Sequence, residues 1–265
     1  MPFIYHENQI PLDSGLVLWR YFDFDKFESF LKNGALFFCR ADKFSDPFEG
    51  SLPRIEADYR LKDAERQDAF FQRPFDEAVA QRNIAGISSL HQRFKRATVV
   101  NCWHINQNES DAMWRLYLKD NEGVAIQTTS DKMLAVIDVC DENLECSKVR
   151  YINYDTDSWY DAVDYPHTSY NIIIPLIHKR REYEHESEFR LYQTLEDAVN
   201  DEGYWQRQPI EKGKLISVDL NMLVESVIFA PTSDSASQQR IKDLCHRYGH
   251  AFCYRQSALN DQPIY

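Results

Sequence analysis

Two periods of apolar spacing run along the chain, and together they predict a mixture of strands and helices. Leu16-Val17-Leu18-Trp19-Arg20-Tyr21-Phe22 is an almost unbroken apolar run of strand length, after which Phe27, Phe30 and Leu31 recur at helical spacing. Asp23 or Asp25 caps that helix and Asn33-Gly34 stops it, since glycine accepts the left-handed backbone a helix end requires. Ala35 to Arg40 predicts a second strand, and the loop from Asp42 to Gly50 carries Pro47 and Gly50 as turn residues. From Arg54 to Arg96 the chain is polar and helix-prone with a break at Pro74, which predicts two helices laid against or over the main body as a mobile lid.

Thr98 to Trp103 predicts a third strand, and Asn108 opens a helix whose apolar stripe is Ala112, Met113, Leu116 and Tyr117. The turn Asn121-Glu122-Gly123 leads into a strand over Val124 to Thr128. Thr129 or Ser130 then caps a helix from Asp131 to Asp138, and a strand follows around Lys148 to Tyr154. A helix containing Ile172 to Lys179 is expected before a strand over Glu186 to Tyr192. At the end, strand Val224 to Ala230, helix Ser235 to Tyr248 and strand Ala251 to Tyr254 form a parallel crossover unit. No repeat or low-complexity linker interrupts these elements. The expected fold class is α+β: a single domain over residues 1–265, on a mixed, mostly antiparallel sheet with flanking helices and a helical insertion at about 54–96.

Charge narrows the partners. With 30 basic and 42 acidic side chains the net charge is −12, which disfavours nonspecific binding to phosphate backbones. Most of the excess lies between Asp141 and Gly203, whereas Arg54 to Arg96 is slightly basic. Only 8 glycines are present, and no glycine-rich phosphate loop occurs, while 16 Phe, 15 Tyr and 5 Trp offer many flat surfaces for stacking. The opening residues Met1 to Asn8 lack a basic stretch followed by an apolar run, and the longest apolar segment, around Ile172 to Ile177, is too short to span a bilayer. A cytoplasmic location without membrane association is therefore expected, with the six cysteines reduced. Cys245, His246, His250 and Cys253 raise the question of zinc, but Gly249 should break the helix between the histidines and no Cys-x-x-Cys pair is present; no metal is expected.

Four stretches carry candidate chemistry. Strand periodicity across Glu186-Ser187-Glu188-Phe189-Arg190-Leu191 puts Glu186, Glu188 and Arg190 on one face. Inside a sheet these would line a cleft, where carboxylates act as base or orient a hydroxyl; facing solvent they would only form ion pairs. Arg20, between Trp19 and Tyr21, can stack on aromatics or bind a phosphate. Thr128-Thr129-Ser130 offers hydroxyls at a strand-to-helix junction, or an ordinary helix cap. Cys102 and His104 present a thiol and an imidazole at alternate positions, or a core thiol and a strand-end histidine.

Trp19-Arg20-Tyr21, Phe44-Ser45-Asp46-Pro47-Phe48-Glu49-Gly50, Asn101-Cys102-Trp103, Met113-Trp114-Arg115-Leu116-Tyr117, Gly123-Val124-Ala125-Ile126 and Glu186-Ser187-Glu188-Phe189-Arg190 occur in that order. The set resembles the bacterial domain-of-unknown-function family 2971 from about Leu16 to the C-terminal helix, departing at Ser45, where the family carries Asn. That family brings no activity with it. The opening strand with an Arg, short helix, Gly and second strand is also remotely similar to the start of ADP-ribosyltransferase folds, which use an Arg or His to hold NAD, a hydroxyl at a strand end and a late Glu-x-Glu. That resemblance implies that Arg20, with Tyr21, and Thr129 or Ser130 bind NAD as substrate. It further implies that Glu188 stabilises oxocarbenium charge and positions the acceptor, which Glu186 helps to orient. The expected cleft is framed by Arg20, the Asp46 to Gly50 loop and Glu188, with Asp46, Phe48, Glu49, Trp103 and Arg190 as candidate substrate-binding residues. The acceptor, a small molecule or a protein, is unspecified. The alternatives are a non-catalytic binding or sensing module and a carboxylate-dependent hydrolase.

Overall fold

The computed structural model describes residues 9–118, 122–159 and 173–264, so Met1 to Asn8 and parts of the expected turn at Asn121 and helix at Ile172 lie outside the described residues. The chain opens with β1 (Val17–Asp23), α1 (Phe24–Asn33) and β2 (Ala35–Arg40). Asp23 caps α1 by accepting from the Lys26 amide, Phe27, Phe30 and Leu31 are buried, and Gly34 ends the helix at φ 55°. The insertion follows as α2 (Arg54–Phe70) and α3 (Glu77–Ala97). Next come β3 (Thr98–Ile105), α4 (Asp111–Tyr117), β4 (Gly123–Thr129), α5 (Ser130–Asp138), β5 (Glu145–Lys148), β6 (Arg150–Ile152) and β7 (His178–Arg180). The remainder is β8 (Glu188–Thr194), α6 (Glu196–Val199), β9 (Gly213–Ser217), α7 (Leu220–Leu223), β10 (Ser226–Phe229), α8 (Ser235–Arg247) and β11 (Cys253–Gln256).

Among the described residues nine strands join in one sheet, in the order β11-β10-β4-β1-β3-β2-β9, with β8 paired to β3 and β5 to β8. Every pairing in it is antiparallel except β10 with β11, the expected crossover through α8. This is the expected α+β class on a mixed, mostly antiparallel sheet. One face buries the main core, with Leu18, Phe22, Trp103, Ile126, Phe189 and Leu191 packed against Phe27, Phe30, Met133, Ile241 and Leu244 of α1, α5 and α8. The other face carries two smaller clusters, one around Trp19, Tyr21, Met113 and Trp114, and one around Val100, Tyr192, Leu176 and Ile177.

The detail that makes a site is a fork in this sheet. β3 pairs with β8 along its whole length on one side, from Thr98↔Thr194 to His104↔Glu188. On its other side β1 pairs only at Leu18↔Ile105 and Trp19↔His104, and β2 only at Cys39↔Val100 and Arg40↔Val99. Between those contacts β1 and β2 part, leaving the edge of β3 at Asn101–Trp103 unshared and a wedge between the two strands.

Several expectations are corrected. The helix over Ile172 to Lys179 is, in its described part, a 3-10 turn at Ile174–Leu176 followed by strand β7. An apolar run buried on all sides has no period to read, and Pro175 cuts it short. The strand near Lys148 to Tyr154 is two, β5 on β8 and β6 parallel to β7 in a separate small sheet. Glu186 lies before β8, at the end of a 3-10 turn (Arg181–Glu186), and Ser187 joins the two in the left-handed region at φ 39°. Strand β9 went unpredicted, because Gly213-Lys214-Leu215-Ile216-Ser217 is short and weakly patterned. The α2–α3 hairpin packs beside the sheet, α3 against α6 and the turn after β2, and none of its residues lines the cavity described below, so it is not a lid over that cavity.

Gly213 shows how closely β9 seats on β2: a Cβ there would run into the Phe38 carbonyl oxygen and stand 2.8 Å from Phe37 Cζ. Gly213→Ala is therefore expected to destabilise the fold by about 1–3 kcal/mol, as overpacking does. Equilibrium urea denaturation measures it, and an unchanged midpoint would show that β9 is free to shift.

Candidate active site

The wedge between β1 and β2 holds a cavity of about 560 Å³, in the range of small-molecule sites. β3 forms its floor through Val100, Cys102, Trp103 and His104, and its sides are Trp19 to Phe22 of β1 and Ala35, Leu36, Phe37 and Cys39 of β2. α1 closes the wide end with Lys26, Ser29 and Phe30, Met113 and Tyr117 come from α4, and Phe44 and Ser45 from the loop after β2. Glu186 and Glu188 stand at the far side.

Arg20 sits at the fork because the parted strands leave carbonyls without ladder partners there. Its guanidinium donates to the Cys102 carbonyl at 2.6 Å and reaches the Phe37 carbonyl at 3.5 Å, and it lies over the rings of Phe22 and Trp103. Asn101 completes the seam: its amide donates to the Phe37 carbonyl at 2.8 Å, and its oxygen accepts from the Trp103 indole at 2.7 Å. Burial lowers the Arg20 pKa, and the groups opposing this are Cys102, Tyr117 and Cys39, none of them a carboxylate. A guanidinium held by carbonyls and ring faces keeps a full positive charge for an anionic ligand.

The acidic side is built as a buried ion network. Glu188 accepts from Lys179 Nζ at 2.8 Å on one oxygen and from Arg190 Nε at 2.6 Å on the other. Arg190, 1% exposed, also donates to Glu49 at 2.5 Å and to the Leu176 carbonyl at 2.7 Å. Lys179 donates to Glu186 at 2.7 Å and pairs with Glu49 at 3.6 Å. Burial works to raise the Glu188 pKa, but Arg190, the hydrogen bond from Glu186 and Lys179 reverse this and hold it well below the carboxylate range. Burial, together with Glu188 beside it, pushes Glu186 up from 4.5 to about 7 against the pull of Lys179. The two neighbouring carboxyls are therefore pushed in opposite directions, Glu188 toward its ionised form and Glu186 toward its protonated one.

His104 fixes the turn that presents this pair. Its Nδ1 lies 2.6 Å from the Glu186 carbonyl, which only accepts, so Nδ1 carries the proton, and Nε2 faces the Asn106 amide at 3.4 Å. Burial lowers the His104 pKa, keeping the ring neutral. Burial likewise raises Cys102 far above an ordinary thiol, so the Cys102–His104 nucleophile arrangement does not form: the thiol stays protonated and the imidazole is committed elsewhere.

Of the residues singled out in the sequence, the cavity brings together Arg20, Tyr21, Cys102, Trp103, His104, Glu186 and Glu188. It does not include Thr129 or Ser130. Thr129 Oγ1 caps α5 by accepting from the Lys132 amide, and Ser130 Oγ accepts from the Leu16 amide, so one hydroxyl serves the helix start and the other the entry to β1. Asp46, Phe48, Glu49 and Arg190 stand behind the cavity rather than in it. Asp46 accepts from Arg180 at 2.9 Å, Phe48 lies under the Arg180 guanidinium, and Glu49 is the far partner of Arg190. Of these four, Arg190 touches the carboxyl pair directly, through Glu188, and Glu49 reaches it through Arg190 and Lys179. Lys179 was missed; a lysine following the six-residue apolar segment Ile172 to Ile177 and a histidine was the available signal. Among the described residues no group of three or more His, Cys, Asp or Glu side chains is placed to hold a metal.

Removing one member of a buried ion network strands the others, so Arg190→Met should cost about 3–5 kcal/mol in denaturant unfolding. The raised Glu186 keeps a proton in the folded chain that the unfolded chain releases above 4.5, so its contribution weakens as pH climbs from 4.5 through about 7. Glu188, held low, contributes fully above the ordinary carboxylate range and loses its contribution only in acid. Stability measured at pH 5 and pH 7.5 should fall less in Glu186→Gln than in wild type; an identical fall would locate the effect elsewhere.

The chain matches no protein-family model, no curated protein and no solved structure, so the cavity's own chemistry is what bears on function.

Proposed function

We propose that the protein is an NAD-consuming enzyme with ADP-ribosyltransferase-like chemistry, acting in the wedge cavity. The observation that carries this is the convergence of Arg20 with Glu186 and Glu188 on one cavity. A dinucleotide with a cationic ring asks for three things in one place: donors for its diphosphate, flat walls for its ring, and an anion beside the bond that breaks. Arg20 supplies the first, with Lys26 and Lys43 also lining the cavity, and Trp19, Tyr21, Phe44, Trp103 and Tyr117 supply the second. The carboxyl pair supplies the third. The resemblance of its sequence blocks to the bacterial domain-of-unknown-function family 2971 is the ground for reading the protein as bacterial and cytoplasmic, and six free thiols suit a reducing compartment.

In the proposed reaction the bond between the nicotinamide nitrogen and ribose C1′ breaks, and its electron pair neutralises the ring nitrogen. Glu188, kept ionised, stabilises the positive charge left on C1′. The acceptor then bonds to C1′ and passes its proton to Glu186, whose pKa of about 7 suits it as base. Water as acceptor gives a hydrolase built on the same carboxyls. The hydroxyl expected from Thr129 or Ser130 plays no part; Ser29 and Ser45 are the serine hydroxyls that line the cavity.

A second reading is favoured by one feature. Both Glu188 oxygens are already paired with cations, which lowers the field it can apply to a substrate, and a non-catalytic NAD-binding or sensing module would need no more than this.

Calorimetric NAD binding and nicotinamide release separate these. Arg20→Ala should weaken binding by at least roughly tenfold, ~1.4 kcal/mol. Glu188→Gln should retain binding and lower turnover by on the order of 10²–10³, with folding checked in both. Binding without release in wild type would establish the sensing module, and absence of both would remove NAD as the ligand.

A further inference from the structure

We propose that Lys179 is a positioning residue for the two cavity carboxyls, its single ammonium bridging Glu186 and Glu188 so that they are held side by side as one pair. The ammonium is buried, with its side chain 6% exposed, and lies 2.7 Å from Glu186 and 2.8 Å from Glu188, so one charge fixes a distance that two carboxylates would not adopt alone. Its backbone is clamped from outside the main sheet: β7 pairs in parallel with β6, matching Lys179 to Tyr151, and the Tyr151 hydroxyl in turn accepts from the Glu188 amide at 2.8 Å. The same ammonium lies 4.7 Å from the ring centre of Tyr183, in the 3-10 turn that ends at Glu186. Lys179 thus touches both glutamates of the Glu-x-Glu segment and the turn that leads into it, and the small β6–β7 sheet serves to place it.

The charged and titratable groups facing this cluster are Glu49 from the loop after β2, Arg190 on β8, Tyr151 on β6, Tyr183 in the turn, His104 and Cys102 on β3, and Tyr117 on α4. Among the described residues, Lys179 is the cation in contact with Glu186. Removing that charge should therefore favour the protonated carboxyl and raise the Glu186 midpoint. The catalytic consequence rests on the NAD reading above; the placement of the carboxyls does not, and the two are tested separately.

Glutamate labelled with ¹³C at Cδ and titrated by NMR reads the pair directly, with Glu186→Gln assigning the signal. Lys179→Met should move the Glu186 midpoint up by at least about one pH unit. Lys179→Met combined with Glu49→Gln removes one charge of each sign, preserves the cluster's net charge, and should show the same upward shift. Lys179→Arg, which keeps the cation, should stay within about half a unit of wild type. A midpoint unmoved in the charge-conserving double variant, or moved by a full unit in Lys179→Arg, would overturn the proposal. Nicotinamide release is followed beside the titration. An upward shift with no release in wild type leaves Lys179 in its role and rejects the NAD reading, whereas release with an unmoved midpoint does the reverse.

Discussion

Arg190 is the charge around which this protein is organised. A guanidinium 1% exposed within a sheet must be compensated inside the protein, since leaving an ion unpaired there costs several kcal/mol. Its partners are Glu188 two residues along the same strand, Glu49 in the loop after β2, and the Leu176 carbonyl from the turn before β7. Satisfying one side chain therefore draws three separate stretches of chain to one point. The Asp46–Gly50 loop is held there further by Arg180 on Asp46, by Lys95, which donates to the Glu49 carbonyl, and by the Gly50 amide on the Pro175 carbonyl.

The fork in the sheet works on the opposite principle. Where Arg190 gathers partners, Arg20 fills a place where partners are lacking, since β1 and β2 leave β3 before the ladder is complete. Carbonyls at Cys102 and Phe37 are satisfied by side chains instead of strands, and the space that a continuous sheet would have closed becomes the cavity. One buried cation thus fixes the acidic wall, and a second, held by neutral groups, faces the same space. The site is polar at its two ends and aromatic between them.

Much of this was legible in the sequence and some was not, for identifiable reasons. The first strand, helix and second strand could be read because Phe27, Phe30 and Leu31 mark a face and Gly34 a stop. The alternation that put Glu188 and Arg190 opposite Phe189 and Leu191 was likewise correct, since β8 lies within the sheet with charges on one side and core on the other. Glu186 shares the site but not the strand, because Ser187 turns the chain in the left-handed region, a backbone choice that serine does not announce. Thr129 and Ser130 looked functional for the reason that makes them structural: hydroxyls at a strand-to-helix junction are what a cap needs. The roles of Asp46, Glu49 and Arg190 depend on pairings across more than a hundred residues, which local patterns do not carry. Lys179 was hidden inside a segment whose uniform apolarity suggested a helix.

The claim on which the account turns is that the wedge between β1 and β2 is the ligand site. A crystal structure with a non-cleavable NAD analogue, its C1′–N bond replaced by a C1′–C bond, tests this most directly. The account predicts the diphosphate within hydrogen-bond distance of the Arg20 guanidinium, the nicotinamide ring against the aromatic walls, and C1′ beside Glu186 and Glu188. The analogue bound elsewhere, or bound in the cavity with its ribose turned away from the two carboxyls, would contradict it.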